Sequence, residues 1–297
     1  MSMKSGYVAI LGRPNVGKST LLNALVGQKI SITSRKPQTT RQKVIGILTE
    51  EEYQVLFVDT PGIHSEKKDA LNRFMNRDAK SALVDVDIVV LVFDRGKYKS
   101  EDQIVVDCCK HVTAHKIVVV NKIDLLSNPN ELFPILKNFQ DRFPDATMIP
   151  LSAQKEKNLE ALIKEIKSRL PESPFYYPED QITDKSQRFL IAEIIREKIM
   201  RQLGKEIPYQ TAVVLDTIST ESSHLKIDAS IFVDKNSQKK IVIGKDGERI
   251  KRVSMDARLD IEALLQKKVM LRTWIRVKKG WSHSAKILKS LGFDEGE

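Results

Sequence analysis

Cysteine is nearly missing from this sequence. The 297 residues hold two, Cys108 and Cys109, side by side. Neighbouring cysteines rarely bridge, so no disulfide framework is expected and a reducing compartment fits. The pair reads as small helix-face residues. No apolar run approaches the ~18 residues of a bilayer-spanning helix, which argues against a helical membrane span. The opening stretch, MSMKSGYVAILG, lacks the apolar middle and small-residue cleavage site of a secretion signal. A cytoplasmic protein is therefore expected. There is no internal repeat and no low-complexity segment. Acid is under-represented as well: 39 Asp and Glu stand against 49 Lys and Arg, a formal charge of +10. An excess of this kind points to a polyanionic partner without identifying it.

The excess is concentrated. From Lys235 to Lys279 there are fourteen Lys or Arg and five acids, a local net of +9. Inside that stretch lies IVIGKDGERIKRV, Ile241 to Val253. It is the second glycine loop of the chain. The first is GRPNVGKST, Gly12 to Thr20.

At roughly 100–200 residues per domain, the length suggests two domains. Over the first 170 residues short apolar runs alternate with helical patterns. Tyr7–Leu11, Gln54–Asp59, Ile88–Phe93, Lys116–Val120 and Thr147–Leu151 read as strands of a largely parallel, doubly covered sheet. Helices are expected over Lys18–Val26, about 70–83, 101–111, about 130–143 and 158–170. Val44–Thr49 reads as an antiparallel edge strand. PESPFYYPED, Pro171 to Asp180, has three prolines and no periodicity, and reads as linker. Beyond it the order becomes α-β-β-α-α-β with a short tail helix. Ser186 is placed to cap the first of these helices and Gly204 to end it. The expected division is 1–170, a linker over 171–185, and 186–297.

GRPNVGKS fits the phosphate-loop pattern G-x-x-x-x-G-K-[ST], and it lies where that pattern needs to lie, between a strand and a helix. Gly12 and Gly17 would let the loop they bound, with Arg13, Pro14, Asn15 and Val16, wrap the β-phosphate, so that backbone amides and a helix N-terminus meet the negative charge. Lys18 would reach the β- and γ-phosphates, and the Ser19 hydroxyl, followed by Thr20, would ligate Mg²⁺. VDTPG places Asp59 at a strand's carboxyl end, where it can hold Mg²⁺ through a water, and the Gly62 amide can meet the γ-phosphate. VNKID follows another strand. Guanine offers two adjacent donors on its Watson–Crick edge, and the single carboxylate of Asp124 can accept both. Adenine presents an unprotonated nitrogen there, so the same carboxylate rejects it. Asn121 and the Lys122 stem would hold the loop and cover the base. In SAQ, following Ser152, the Ala153 amide can meet guanine O6. All four motifs stand in order at the carboxyl ends of strands, where open α/β sheets bind ligands.

This set resembles the translation-factor class of P-loop GTPases. The resemblance implies GTP and GDP as ligands, Mg²⁺ as cofactor and Lys18, Thr40 and Gly62 as the catalytic set. It places a first switch in SRKPQTTRQK, Ser34–Lys43, whose Thr40, with Thr39 as the alternative, would close over a Mg²⁺ held by Ser19 and Asp59. Ras-like enzymes carry a water-orienting glutamine where this chain has Ile63. Slow intrinsic hydrolysis is therefore expected, on the order of 10⁻⁴–10⁻² s⁻¹. Related GTPases sharing Asn15 and an apolar residue at that position recruit K⁺, which is the second expected cofactor.

The GKDG loop lies between two helices and is followed by the basic strand KVMLRTWIRVKKGW. A helix-GxxG-helix unit of this kind resembles KH domains, whose loop clamps about four nucleotides. The order α-β-β-α-α-β matches their type II arrangement. Gly244 and Gly247 would admit the RNA backbone, while Lys245, Asp246, Arg249 and Lys251 flank it. Ile241 and Ile243 would wall an apolar groove for bases. Trp274 reads as a strand residue, and Trp281 stays undecided between core and base stacking.

The fold class expected is therefore an α/β P-loop NTPase (Ras-like GTPase) domain followed by an α+β type II KH domain. Together the two halves resemble the Era family of bacterial GTPases, from about Val8 to Val277. The resemblance implies a monomer that binds the single-stranded 3′ end of small-subunit ribosomal RNA and assists 30S assembly, with peripheral contact at the inner membrane. Two alternatives stay open at this point: a membrane-surface GTPase and an RNA-modification GTPase.

Overall fold

The computed structural model describes residues 2–36, 38–62, 70–96, 98–204, 207–221 and 223–293. They divide into two compact units. One is built from residues 2–33, 40–62 and 75–184; the other groups 34–36, 38–39 and 70–74 with 185–293.

In chain order the first 170 residues form β1 (Lys4–Leu11), α1 (Lys18–Val26), β2 (Val44–Glu50), β3 (Tyr53–Asp59), α2 (Ala70–Ser81), β4 (Ile88–Asp94), α3 (Ser100–Cys108), β5 (His115–Asn121), α4 (Leu132–Arg142), β6 (Thr147–Pro150) and α5 (Leu159–Arg169). The six strands make one sheet in the order β2-β3-β1-β4-β5-β6. Every pairing is parallel except β2 with β3. The near-continuous apolar runs have their cause here. Val8 to Leu11, Ile88 to Phe93 and Ile117 to Val120 are buried on both faces of the sheet, as a sheet covered by helices requires. The carboxyl ends of β1, β3, β5 and β6 thereby bring four loops to one edge. Cys109 is buried against Phe139 and Val118, and both cysteines are free thiols.

The segment read as linker connects the units and is also pinned to the first. Ser5 Oγ donates to Pro174 O at 2.6 Å, and the Gln54 carboxamide accepts from the amides of Tyr176 and Tyr177 at 2.9 and 3.0 Å. Ile47 N donates to Ile182 O at 2.9 Å, and Ile45 N to Asp184 Oδ1 at 2.8 Å. The bonds from Ile45 and Ile47 occupy the outer edge of β2, which would otherwise present unpaired amides to water.

The second unit holds α6 (Gln187–Gln202), β7 (Thr211–Thr220), β8 (Leu225–Val233), α7 (Asn236–Ile243), α8 (Glu248–Leu265), β9 (Val269–Val277) and α9 (Ala285–Ser290). β8 pairs antiparallel with β7 and parallel with β9. Alternate residues of β8, from Leu225 to Val233, point into a core shared with Ile191, Ile195 and Ile199 of α6 and with Val253, Ala257 and Ile261 of α8. Ser186 caps α6 by accepting from Phe189 N at 3.3 Å. Gly204 does not end that helix as expected. Leu203 closes it in an extended conformation, its amide on Ile199 O at 3.0 Å and its side chain in the core. A buried leucine there fixes the exit of the chain, so no left-handed glycine is needed. Among the described residues no helix is long and apolar enough to cross a membrane.

Candidate nucleotide site and nucleic-acid interface

The first glycine loop is shaped by what cannot fit into it. A Cβ at Gly12 would stand 2.4 Å from Val92 O. Asn15 and Gly17 both take left-handed backbone, at φ 66 and 102. Turns of this kind curl successive amides into an anion-binding concavity. α1 begins directly afterwards, with no side-chain cap and no acid in its first turn. Its amino end is therefore open to a negative ligand. Val16 is fully buried beneath the loop. Pro14 faces Gly62 closely enough that a Cβ on Gly62 would meet Pro14 Cγ at 2.9 Å. Thr20 sits half-buried one residue beyond Ser19.

Lys18 is buried, and its Nζ donates to Gly12 O at 2.9 Å and Arg13 O at 3.2 Å. Burial lowers its pKa to about 8; Asp59 opposes the shift and Arg13 adds to it. Among the described residues the hydrogen-bond acceptors of Lys18 Nζ are these two carbonyls, so the ammonium is a cation suited to an arriving phosphate.

Three oxygen groups converge beside it. Ser19 Oγ lies 2.8 Å from Thr40 Oγ1 and donates to Asp59 Oδ2 at 2.8 Å; Thr40 Oγ1 reaches the same Oδ2 at 3.4 Å. Thr39 is directed elsewhere, donating to Lys36 O at 2.7 Å. Asp59 is fully buried, and its Oδ1 has no hydrogen-bond partner among the described residues. Burial raises its pKa, while Lys18 and the Ser19, Ser31 and Thr40 hydroxyls pull it back. Two hydroxyls and an unsatisfied carboxylate oxygen are hard donors, so the set fits Mg²⁺. Among the described residues no three His, Cys, Asp or Glu side chains cluster as a ligand set, so Asp59 with the two hydroxyls is what this chain offers such an ion. Ile63, like the rest of 63–69, lies outside the described residues.

The base loops meet the phosphate loop through one side chain. Asn121 is buried; its Nδ2 donates to Val16 O at 2.8 Å and its Oδ1 accepts from Lys122 N at 2.7 Å and Ala153 N at 3.0 Å. Lys122, left-handed at φ 66, donates to Asn15 O at 2.6 Å and Asp94 at 3.1 Å. Asp124 is exposed and accepts from buried Ser152 Oγ at 2.6 Å. Ser152 orients that carboxylate and leaves its second oxygen available.

Sequence reading missed four residues here. Asp94, at the end of β4, joins Lys122 to Arg13, whose Nε also lies 3.1 Å from buried Asp102. A carboxylate ending a strand between two motif-bearing strands, β1 and β5, is the signal that could have marked it. Ser31, which donates to Asp59 Oδ2 at 3.0 Å, and Asn23 of α1, whose carboxamide holds the Ser31 backbone, carried no such signal, since ISITS reads simply as an alternating stretch.

In the second unit, a single 3-10 turn over Lys245–Gly247 separates α7 from α8. Gly244, Asp246 and Gly247 all have positive φ, at 77, 48 and 77. Lys245, Asp246 and Lys251 are exposed, and Arg249 folds back to Ile241 O at 2.6 Å. Ile241 is 44% exposed, whereas Ile243 is half-buried and Val242 between them lies in the core. Trp281 belongs to the core, with Nε1 donating to Gln210 O at 3.2 Å. Trp274 is 39% exposed on β9, with the Arg272 guanidinium over its ring. The alternation along β9 placed it on a strand but could not tell which face was open.

Comparison with known proteins gives concordant results. A family model described as 50S ribosome-binding GTPase matches residues 7–122, and a KH domain model matches 206–282. The GTPase Era of Pseudomonas putida strain F1 is 52% identical over 98% of this chain and 97% of its own length. That of Ectopseudomonas mendocina strain ymp is 53% identical with the same coverage. A crystal structure of Era with MgGDPNP and nucleotides 1506–1542 of 16S ribosomal RNA superposes with a TM-score of 0.94, at 38% identity, over 98% of this chain and 99% of the other. An Aquifex aeolicus Era variant bound to GDP·AlF4⁻ gives the same TM-score, identity and coverage.

Proposed function

This chain belongs to the Era family of GTPases, and from that premise we propose that it is a GTP-operated switch that binds small-subunit ribosomal RNA through its KH unit and assists 30S assembly. The related Era crystallised with MgGDPNP and a 16S fragment supports both ligand classes. A ribosomal RNA partner implies action in the cytoplasm.

The observation that carries the nucleotide half is the buried Asn121 carboxamide, which joins the phosphate loop at Val16 to the amide of Ala153. Phosphate and base recognition are thereby held at one fixed separation. Lys18 would leave its carbonyl partners for the β- and γ-phosphates, and the Gly62 amide would meet the γ-phosphate. Asp124 would accept both donors of guanine, while Ala153 N–H addresses its O6. Ser19, Thr40 and Asp59 would hold Mg²⁺, whose chemistry when bound is to neutralise phosphate charge. No residue of the Ras glutamine type follows Gly62, so hydrolysis unaided should be slow, on the order of 10⁻⁴–10⁻² s⁻¹. A potassium ion beside the phosphates, reached through the exposed Asn15, would supply positive charge in its place. Equal turnover in K⁺ and Na⁺ would remove that element.

On the RNA side, the glycines of the GKDG loop let a backbone approach, and Lys245 with the amino end of α8 attracts it. Exposed Ile241 offers an apolar wall to an unstacked base. Binding of a 16S 3′-end oligonucleotide, measured with GTP analogue and with GDP, tests the whole. Different Kd values are expected in the two states. Equal values would remove the switch, and preference for anionic vesicles over the RNA at matched salt would replace it with a membrane role.

A further inference from the structure

The loop after α1 contains a buried serine that no nucleotide motif requires. Ile30 and Ile32 are both buried in the core, and Ser31 between them is buried too. A hydroxyl enclosed in this way is costly unless it is hydrogen-bonded. Its partner is the metal-site carboxylate: Ser31 Oγ donates to Asp59 Oδ2 at 3.0 Å.

The serine is held there by α1. Asn23 Nδ2 donates to Ser31 O at 2.7 Å, and Asn23 Oδ1 accepts from Ile30 N at 3.0 Å and Ser31 N at 2.9 Å. One carboxamide thus pairs with both the amide and the carbonyl of Ser31, much as a neighbouring strand would. The loop cannot shift along α1 without breaking three bonds, so the Ser31 hydroxyl is fixed in direction.

Asp59 is loaded on one side. Its Oδ2 takes hydroxyls from Ser19, Ser31 and Thr40, while buried Oδ1 has no hydrogen-bond partner among the described residues. Two of those hydroxyls belong to residues that would turn to a metal ion. Ser31 does not, so it is the hydroxyl that stays on Oδ2 when the others leave. We propose that Ser31, clamped by Asn23, is a positioning residue that keeps the Asp59 carboxylate aimed at Mg²⁺ or its water. This inference rests on the reading of Ser19, Thr40 and Asp59 as the magnesium site.

The test follows release of a fluorescent GDP from the full-length protein as free Mg²⁺ is varied, with EDTA as the metal-free limit. Ser31→Ala is expected to raise the Mg²⁺ concentration for half-maximal slowing of release roughly 10- to 100-fold, the usual effect of removing an outer partner of a metal ligand. Its release rate in EDTA should match the parent, and Ser31→Thr, which restores a hydroxyl, should recover most of the loss. Asn23→Ala should shift the half-point in the same direction, with little added by the double variant. An unchanged half-point in Ser31→Ala overturns the proposal. So does a variant whose release is equally accelerated in EDTA, since that marks a general loosening of the pocket. If the parent protein itself shows no Mg²⁺ dependence, the magnesium site reading fails, and this inference with it.

Discussion

The Cβ that Gly17 lacks would stand 2.4 Å from Asn121 Nδ2. The phosphate loop and the base loop therefore meet at Gly17 too closely for any side chain there. Asn121 cannot withdraw, because its carboxamide serves Val16, Lys122 and Ala153 at once. Gly17 is also left-handed at φ 102, a conformation L side chains rarely adopt. Two separate constraints thus select glycine here, one from the backbone and one from a residue a hundred positions away in sequence.

Gly17→Ala should therefore fold with its stability lowered by about 1–3 kcal/mol from backbone strain, and lose nucleotide binding by much more. Thermal unfolding reads the first effect and calorimetry with GDP the second. Parental GDP affinity in the alanine variant would show that this contact does not set the spacing of the two loops.

Asp124 is the second point of leverage. Its carboxylate is oriented by buried Ser152 at 2.6 Å. Asp124→Asn replaces an acceptor with a donor opposite guanine's own donors, leaving polar groups unpaired at a cost of about 1–3 kcal/mol each. GTP affinity is expected to fall on the order of 100-fold or more. A purine nucleotide with a carbonyl in place of the exocyclic amine should bind the variant better than it binds the parent. Competition between the two nucleotides measures this directly, and unaltered preference for GTP would disprove guanine reading by Asp124.

The nucleotide loops are legible in the sequence because their chemistry is local. GRPNVGKS, DTPG, NKID and SAQ each place glycines or polar groups within a few residues, next to apolar runs that announce buried strands. The KH unit is legible from element order and from the glycine pair between helices. What could not be read depends on contacts distant in sequence. Ser31 is 28 residues from Asp59, and nothing in ISITS says that its hydroxyl is buried. Arg13 and Lys122 meet over Asp94 only because β1, β4 and β5 are neighbours in the sheet. The same holds for residues 171–184: their prolines argue correctly against a helix, but not against hydrogen bonds to an edge strand. Gly204 shows the converse error, a local signal overruled by the burial of Leu203.

Gly244 gives the matching prediction for the second unit. Its φ of 77 with ψ 179 is a conformation essentially confined to glycine, and a Cβ there would meet Arg249 Cβ at 2.7 Å. Strain of ~1–3 kcal/mol is expected on Gly244→Ala. If RNA needs the loop in this form, affinity for a 16S 3′-end oligonucleotide should drop roughly five- to 150-fold. GTP hydrolysis without RNA should be unaffected, because the first unit carries that chemistry. A variant that binds the oligonucleotide normally would exclude this loop from the interface.

The open face of β8 and β9 yields a pH prediction. Arg272 grips Asp228 with two bonds, Nε to Oδ1 at 2.6 Å and a terminal nitrogen to Oδ2 at 2.8 Å, and Thr217 adds a third at 2.9 Å. The Arg272 hydrogen bonds, with the one from Thr217, lower the Asp228 pKa to about 2. A depressed carboxylate pKa stabilises the fold above the unfolded value, ordinarily near 3.9, and that contribution fades as pH falls toward the folded value. The pair should therefore support this sheet at neutral pH and weaken between about pH 4 and 2. Carbon-detected NMR of the aspartate carboxyls should place the Asp228 midpoint near 2, and Arg272→Ala should return it to the ordinary range. The same variant uncovers Trp274, whose ring lies 5.5 Å from the Arg272 guanidinium carbon, so its fluorescence should shift in parallel. A parental midpoint already near 4 would mean that the bidentate pair does not persist in solution, and the Trp274 emission should then be indifferent to the loss of Arg272.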